Sequence, residues 1–240
     1  MINVIPVLEI TGASKDYRGL RPLRIQQLTV AAGEQVAIVG FDQPSAEVFV
    51  NLATGASVPD AGTVSLFGRP TTAIADSADW LALVDRFGIV SARAVLLDQL
   101  TVVQNLAMPF TLEIEPPADD VRERAERLAA EVGLAETTWP RPAGEVDGAG
   151  RARMRLARAL ALDPALLLLE HASAGLDREA ATAFGAAVRA IADRRGVALV
   201  AVTADENFAA SAASRVLAWD AATGRLTDRR RRGWFGRRAG

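Results

Sequence analysis

Residues 35–54 read QVAIVGFDQPSAEVFVNLAT, and this stretch decides the fold class. The apolar run at its start predicts a buried β-strand that ends at Gly40. Pro44 suits the first turn of a helix, where a backbone N–H has no partner within the helix, and Gly55 marks the end of the helix predicted over residues 44–54. A strand, a tight loop and a helix in this order predict an α/β core.

The flanking sequence extends this core in both directions. Strand patterns over residues 23–30 and 62–67 predict an antiparallel β layer near the N-terminus. Residues 101–133 are predicted to be mostly helical, and after them helices and continuous apolar strands alternate, as is typical of a parallel sheet buried on both faces. The predicted helices cover residues 151–162 and 178–195, and the predicted strands cover residues 165–170, 197–203 and 215–220.

The composition excludes several classes of chemistry. The 240 residues are 50% hydrophobic and 23% charged, which excludes a disordered chain. There is no cysteine, so neither a disulfide nor a thiolate metal site can form. Lys15 is the only lysine and His171 the only histidine, so a mechanism that needs two of either is excluded. No apolar run approaches the roughly 18 residues of a membrane span.

Charge is distributed unevenly along the chain. Residues 228–240 carry a net charge of +5, which leaves −7 on the rest of the chain. Because the body is acidic, nucleic acid is not expected as a partner. Two interpretations of the basic tail remain open. Its arginines, with Trp234 and Phe235, suit contact with anionic lipid, and a solvated terminus has the same composition.

Three segments together resemble one protein family. Residues 59–68 read PDAGTVSLFG and follow the strand, loop and helix described above; residues 144–177 read GEVDGAGRARMRLARALALDPALLLLEHASAGLD; residues 101–110 read TVVQNLAMPF. Together the three segments are similar to the nucleotide-binding domain of ATP-binding cassette (ABC) transporters, in particular of the lipoprotein-release and macrolide-export type. The third segment resembles the part of the family that faces the transmembrane partner.

This resemblance implies a specific fold and domain organisation. The expected class is α/β, an ABC-type P-loop ATPase fold with a mostly parallel core sheet, an N-terminal antiparallel β layer and a helical subdomain. Residues 1–227 are expected to form a single cassette domain, with the helical subdomain at about residues 93–160. Residues 228–240 are the basic tail.

The phosphate-binding loop departs from the family pattern G-x-x-x-x-G-K-[ST]. In that pattern the lysine binds the β and γ phosphates and the hydroxyl binds Mg²⁺. The eight matching positions are Gly40, Phe41, Asp42, Gln43, Pro44, Ser45, Ala46 and Glu47. Loss of the lysine removes about 1.5 to 3 kcal/mol, and a carboxylate at the last position repels phosphate by about 1 kcal/mol. We expect Glu47 instead to satisfy part of the anion-binding helix end.

The other catalytic positions are also substituted. The Walker B strand of the family ends in Asp-Glu, which here is Glu170-His171, and Glu170 would support Mg²⁺ if the metal binds. His171 is open to two interpretations: an imidazole that accepts a proton, and, more favoured, a side chain that fills space at the sheet edge. The glutamine of the Q-loop matches Ala92, and the switch histidine matches Ala204.

The signature and adenine positions complete the comparison. The five residues that match the signature Leu-Ser-Gly-Gly-Gln are Val146, Asp147, Gly148, Ala149 and Gly150. Asp147 introduces an anion where the family's serine acts on the γ-phosphate of a partner subunit. The D-loop is retained and ends at Asp177. Tyr17 matches an aromatic that stacks on adenine, although an exposed tyrosine at a strand end is an equal alternative.

These substitutions favour a cassette that has lost catalytic function. ATP and Mg²⁺ are the cofactors that the resemblance implies, but we predict that their binding is weak or absent. We expect a transmembrane permease as the partner, docked near a helical region around residues 93–110, together with a second ABC cassette in a homo- or heterodimer. The expected location is cytoplasmic and peripheral to the inner face of the membrane. A working ABC transporter ATPase and a soluble ABC-fold interaction module remain as alternatives.

Overall fold

The computed structural model describes residues 5–74 and 76–229. The strands of this part of the chain are β1 (Leu8–Lys15), β2 (Leu23–Val30), β3 (Gln35–Val39), β4 (Ala61–Leu66), β5 (Arg69–Pro70), β6 (Phe87–Ser91), β7 (Leu166–Glu170), β8 (Ala198–Thr203), β9 (Arg215–Asp220) and β10 (Arg225–Asp228). The α-helices are α1 (Gln43–Ala53), α2 (Ser77–Val84), α3 (Val102–Ala107), α4 (Asp119–Glu131), α5 (Gly148–Leu160), α6 (Arg178–Arg195) and α7 (Glu206–Ala212).

The strands form two sheets. An antiparallel sheet has the order β2-β1-β4-β5, and a six-stranded sheet has the order β10-β9-β3-β8-β7-β6. In the second sheet every pair is parallel except β9 with β10. Because the carboxyl ends of parallel strands meet at one edge, the loop after β3 and the last residue of β7 lie at the same edge, separated by β8. The predicted mostly parallel core sheet with an antiparallel N-terminal layer is confirmed.

Two apolar cores cover the faces of the six-stranded sheet. Val36 and Ile38 of β3 pack into the core that contains α1 and the antiparallel sheet, whereas Ala37 and Val39 pack into the core that contains α3 to α7. All residues of β3, β7 and β8 are buried. Burial on both faces explains why these strands are continuous apolar runs in the sequence. It also fixes the end of β3 rigidly between two cores.

The region predicted as helical around residues 93–110 is only partly so. Helix α3 covers Val102–Ala107, and residues 93–100 contain no helix. The helix begins at Val102 because Thr101 and Gln104 form a reciprocal capping box, and Pro109 follows its end. Bounds elsewhere differ slightly: α5 begins at Gly148 and ends at Leu160, and α1 begins one residue earlier than predicted.

Two further features concern the ends and the surface of the chain. Of the basic tail, only Asp228 and Arg229 are described, and the Arg229 guanidinium pairs with Glu206 Oε1 at 2.8 Å. The predicted lipid contact of residues 230–240 falls outside the described residues. Within residues 5–74 and 76–229, no helix has both the length and the hydropathy needed to cross a membrane.

Candidate nucleotide-binding site

The loop that follows β3 is anchored in the core by aromatic side chains. Gly40 has a φ of 106°, and a Cβ at this position would lie 3.1 Å from the carbonyl oxygen of Trp219. The ring of Phe41 is 1% exposed, stacks on Trp219 with centroids 4.3 Å apart and meets the edge of Phe49 at 5.5 Å. The start of the loop is therefore held by the core of the protein, because glycine permits the turn and the aromatic cluster fixes the next residue.

The N-terminus of α1 is capped by the chain itself. Asp42 is the N-cap residue: its Oδ1 accepts a hydrogen bond from Ser45 N at 2.9 Å, and Ser45 Oγ in turn accepts one from Asp42 N at 3.1 Å. The Ser45 hydroxyl, which also donates to Asp42 Oδ1, and then the Ser45 backbone N–H hold the pKa of Asp42 below its ordinary value. Pro44 has no N–H to offer. A carboxylate thus already occupies the end of the helix that a phosphate group would need.

Glu47 does not have the role that the sequence predicts. No acidic residue lies in the first turn of α1, since Glu47 is further along the helix and its carboxylate is half exposed. Its Oε1 pairs instead with the Arg93 guanidinium at 2.8 Å. The expectation that Glu47 satisfies the helix N-terminus is therefore wrong, because Asp42 already fills that place as the N-cap.

Glu170 is a buried carboxylate whose two oxygens are both hydrogen bonded. It is the last residue of β7, and its side chain is 0% exposed. Gln43 Nε2 donates to Oε1; Arg93 donates to the same oxygen through Nε at 3.0 Å and to Oε2 through its Nη2. The hydrogen bonds and charge of Glu170, with the charge of Glu47, raise the pKa of Arg93 above its ordinary value. The buried carboxyl group of Glu170 is thereby paired with a cation of the same chain.

Sequence reasoning missed Arg93. The family motif directs attention to Ala92, which is exposed, and the arginine that reaches the Walker B strand is the next residue. Its position after β6 provides a signal: β6 is parallel to β7 and pairs Ser91 with Glu170, so residue 93 lies just beyond the Glu170 end of the sheet. A basic residue two positions past a strand that borders a buried acid is a candidate partner for that acid.

The residues present do not fit the Mg-ATP complex that the family resemblance implies. Ala46, which matches the lysine, is 0% exposed and apolar. The only lysine of the chain is Lys15, and its ammonium pairs with Asp60 Oδ1 at 2.7 Å. The hydroxyl of Ser45 is bonded to Asp42, and both oxygens of Glu170 are engaged. Among the described residues, no cluster of three or more histidine, aspartate and glutamate side chains could hold a metal.

A cleft beside the loop contains the position predicted for adenine. It has a volume of about 670 Å³, and Tyr17, Gly40, Asp42 and Trp219 are among the residues that line it. Burial and, second, the charge of Asp42 raise the pKa of the Tyr17 phenol. Tyr17 is half buried, so it is not the exposed strand-end residue of the alternative interpretation. The structure thus brings Tyr17 and the first half of the loop to one cleft.

His171 and Ala204 lie after the strands β7 and β8. His171 has a φ of 43°, and its N–H donates to Val202 O at 3.0 Å. Its Nε2 atom is buried and has no hydrogen-bond partner in the described part of the chain. Ala204 is exposed and offers only a methyl group at the switch position. Ala204 has no group that can take up or release a proton. The imidazole of His171 lacks a partner at Nε2 that would orient it for proton transfer.

The signature and D-loop positions act as helix caps. Asp147 is the N-cap of α5, where its Oδ1 accepts from Gly150 N at 2.7 Å, and Asp177 is the N-cap of α6, where its Oδ1 accepts from Ala180 N at 2.8 Å. Of the remaining signature positions, Val146 lies before α5, and three lie in its first turn: Gly148, Ala149 and Gly150. The hydrogen bonds of Asp147 and Asp177 thus lie within their own helix ends, away from residues 40–47.

Comparison with solved structures supports this fold. The chain is similar to cbiO1 from Clostridium perfringens, part of the ABC transporter complex cbiONQ, with a TM-score of 0.77 and 19% identity over 92% of this chain and 87% of the other. It is also similar to the ATP-binding cassette MJ0796 in a dimeric, post-hydrolysis state with ADP and phosphate, with a TM-score of 0.74 and 20% identity over 92% and 98% of the two chains.

Comparison with curated sequences gives closer matches. The lipoprotein-releasing system ATP-binding protein LolD of Psychrobacter arcticus is 31% identical over 88% of this chain and 95% of its own length. The methionine import ATP-binding protein MetN of Brucella abortus is 28% identical over 90% of this chain, which spans only 58% of MetN. The family profile described as "ABC transporter" matches residues 23–174. With most of the chain covered by this profile and by a close relative, the protein belongs to the ABC transporter family of ATP-binding cassettes.

Proposed function

We propose that this chain is the cassette subunit of a membrane ABC transporter that has lost catalytic function and has a structural or regulatory role. The observation that carries the proposal is the state of Glu170. Both oxygens of its buried carboxylate already accept hydrogen bonds from Arg93 and Gln43 of the same chain, so a metal-bound water would have to compete with them.

Electrostatics around the loop support weak or absent ATP binding. Asp42 brings a negative charge to the phosphate-binding segment, the charge of Glu47 is paired with Arg93, and the only lysine, Lys15, is paired with Asp60. A like charge about 4 Å from a phosphate costs about 1 kcal/mol in water and more in a partly dry cleft. The missing lysine removes a further 1.5 to 3 kcal/mol, roughly. Both effects oppose a bound triphosphate.

The proposed partners follow from the relatives. LolD and MetN are named as ATP-binding proteins of a release system and an import system, and one solved relative is dimeric. We propose a transmembrane permease as the main partner and a second ABC cassette as a further one. Residues 93–110, of which only Val102–Ala107 are helical, are the proposed docking region. The chain would then be cytoplasmic and peripheral to the inner face of the membrane. Contact of the basic tail, residues 228–240, with anionic lipid is part of the same proposal.

A working ATPase is the second candidate, and one observation favours it. The cleft that contains Tyr17 also contains Gly40, which supports an adenine site next to the loop. In that case the chain would bind Mg-ATP despite its altered loop. A soluble ABC-fold interaction module is the third candidate, and it differs from the first in having no membrane partner.

Mg-ATP is expected to leave the melting temperature of the purified chain nearly unchanged at millimolar concentration. A ligand at 100 times its dissociation constant stabilises a fold by about 2.7 kcal/mol, which for a chain of this size corresponds to roughly 5 to 10 °C. The measurement is a thermal melt with Mg-ATP, Mg-ADP and Mg²⁺ alone, with phosphate release followed in parallel. A shift of several degrees that Tyr17→Ala removes would support the working ATPase instead.

Crosslinking in native membranes is expected to join residues 93–110 to a polytopic membrane protein. A photoreactive residue at Leu112, which is 97% exposed and lies just beyond this region, tests the contact with little disturbance of the fold. The same label at Leu20, which is exposed between β1 and β2, is the matched control and should give no such product. Recovery of the chain only from the soluble fraction, with no membrane protein at either position, would favour the soluble module.

A further inference from the structure

Two carboxylates from different elements share one guanidinium. Arg93 donates to both oxygens of Glu170 at the end of β7, and its Nη1 pairs with Glu47 of α1 at 2.8 Å. Glu170 is completely buried, whereas Glu47 and Arg93 are each a little under half exposed. The guanidinium therefore lies between a strand end of the core sheet and the helix after the loop. The positive charge between them offsets the repulsion of the two carboxylates and the cost of burying Glu170.

We propose that the Arg93 guanidinium is a built-in cation that occupies the place between Glu47 and Glu170 where a divalent cation would have to bind, and thereby holds the site in one state whether or not nucleotide is present. The inference rests on the proposed loss of ATPase function, because a working ATPase needs Mg²⁺ beside the Walker B strand. A guanidinium is always protonated and binds carboxylates in a fixed bidentate geometry. Unlike Mg²⁺, it cannot leave with a product.

The segment that carries Arg93 is fixed on its other side as well. Arg155 Nε donates to Ala94 O at 3.2 Å, and Arg158 Nη1 donates to Val95 O at 2.6 Å, both from α5. Arg93 N itself donates to Ser91 Oγ at 3.1 Å. Residues 91–95 are thus tied both to the core sheet and to the helix that follows the signature position. The Arg93 guanidinium thus joins α1 to β7, and the backbone that follows it is joined to α5.

A second arginine with the same geometry provides a control within the chain. Arg195 donates through Nε and Nη2 to both oxygens of Glu131, and its Nη1 pairs with Asp163 at 2.9 Å. Here Glu131 is 23% exposed and Asp163 is 93% exposed, so water can solvate both carboxylates when the arginine is removed. Comparing variants of Arg93 and Arg195 therefore distinguishes the effect of losing a bridging arginine from the effect of leaving a buried carboxylate without a partner.

The test uses the full chain in nucleotide-free buffer and follows Mn²⁺ binding by EPR together with the melting temperature. Arg93→Met is expected to lower the melting temperature by on the order of 10 °C, because Glu170 is left buried and unpaired. This variant is also expected to bind Mn²⁺, and 10 mM Mn²⁺ should raise its melting temperature by about 3 °C or more. The unmodified chain should bind no Mn²⁺ and show no shift.

Two further variants define the specificity of the effect. Arg93→Met combined with Glu170→Met should recover most of the lost melting temperature and bind no Mn²⁺, because an apolar pair replaces the buried ion pair. Arg195→Met should lower the melting temperature by only a few degrees and bind no Mn²⁺. Binding of Mn²⁺ by the unmodified chain as tightly as by Arg93→Met would overturn the proposal, and so would a folded Arg93→Met that binds none.

Arg93→Lys keeps the charge and tests the proposal even if Arg93→Met fails to fold. An ammonium is a point charge and cannot donate to both carboxylates in the bidentate manner of arginine. Hydrogen exchange at the amides of residues 92–97 should therefore become at least several-fold faster, and unchanged exchange would contradict the proposal. None of these measurements contains ATP, so they decide the role of Arg93 separately, whereas ATP hydrolysis by the unmodified chain would overturn the proposed function.

Discussion

Replacing Phe41 by alanine is expected to lower the free energy of unfolding by about 3 to 5 kcal/mol. The ring is 1% exposed and lies between Trp219, on which it stacks, and the edge of Phe49. Because Phe41 follows directly on Gly40 at the end of β3, the rest of the loop cannot collapse into the cavity without displacing the strand end. Denaturation in urea at constant pH, with the slope compared between variants, measures the effect.

Two controls identify the cause of this loss. Leu20→Ala, at a position that is fully exposed, should change the free energy of unfolding by less than about 0.5 kcal/mol. A double-mutant cycle of Phe41→Ala with Trp219→Ala should show a coupling of about 0.5 to 1.5 kcal/mol, as expected for a stacked aromatic pair. A loss below about 1 kcal/mol for Phe41→Ala would show that the aromatic cluster does not anchor the loop.

An anchored loop also bears on function. Residues that cradle phosphate need backbone N–H groups free to point at the ligand. Here Phe41 holds the first part of the loop in the core, and the carboxylate of Asp42 accepts the N–H of Ser45. The order of the loop therefore comes from contacts within the chain, and we expect nucleotide to add little to its stability.

The parts of the fold that were predicted correctly carry strong local signals. The strand that ends at Gly40 and the helix that contains Pro44 were located within a residue, because an apolar run, a glycine and a proline mark them. The apolar runs of β7 and β8 were equally clear, since burial on both faces leaves no polar residue in them except at the end. These signals depend only on neighbouring residues.

The strands that were missed lack such signals. In β1 the alternation is broken by Gly12, where the pairing with β4 shifts register between Thr11 and Ser14. Strand β6 is short and contains Gly88, and a Cβ at this position would lie 2.1 Å from the carbonyl oxygen of Ala159. Glycine is present there because helix α5 packs against the strand backbone, which is a tertiary requirement that no local pattern reveals.

The candidate site could be predicted only in part. Matching the motifs placed residues 40–47 and Glu170 at one edge of the six-stranded sheet, because the loop follows β3 and Glu170 ends β7. Tyr17 follows β1 of the antiparallel sheet and meets the start of the loop in the cleft between them. Which arginine would neutralise Glu170 was not predictable, since the chain has 26 arginines and the choice depends on how the segment after β6 folds back. The role of Asp42 was missed because the motif treats that position as variable, whereas the N-cap geometry gives it a specific partner.

Restoring nucleotide binding is expected to require more than the three loop residues that depart from the motif. Ser45→Gly, Ala46→Lys and Glu47→Ser together recreate the pattern, yet the carboxylate of Asp42 stays on the helix N-terminus and Arg93 stays on Glu170. We therefore expect this triple variant to show no shift in melting temperature with Mg-ATP. The lysine would be buried beside an occupied helix end, and its charge would remain without a phosphate to neutralise it.

Adding Asp42→Ser and Arg93→Gln to the triple variant is expected to strengthen Mg-ATP binding roughly a hundredfold or more over the unmodified chain. The new lysine supplies about 1.5 to 3 kcal/mol, and removal of the Asp42 charge supplies about 1 kcal/mol, whereas the paired charges of Glu47 and Arg93 are removed together. Calorimetric titration measures the affinity, and a version with methionine in place of lysine at residue 46 is the control, since it fills the same buried space without the charge. If that control binds equally well, the lysine is not responsible. If the triple variant alone binds as tightly as the full set, then Asp42 and Arg93 do not block the site.

Hydrolysis is not expected in any of these variants, because His171, Ala92 and Ala204 still lack the groups that would activate water and contact the γ-phosphate.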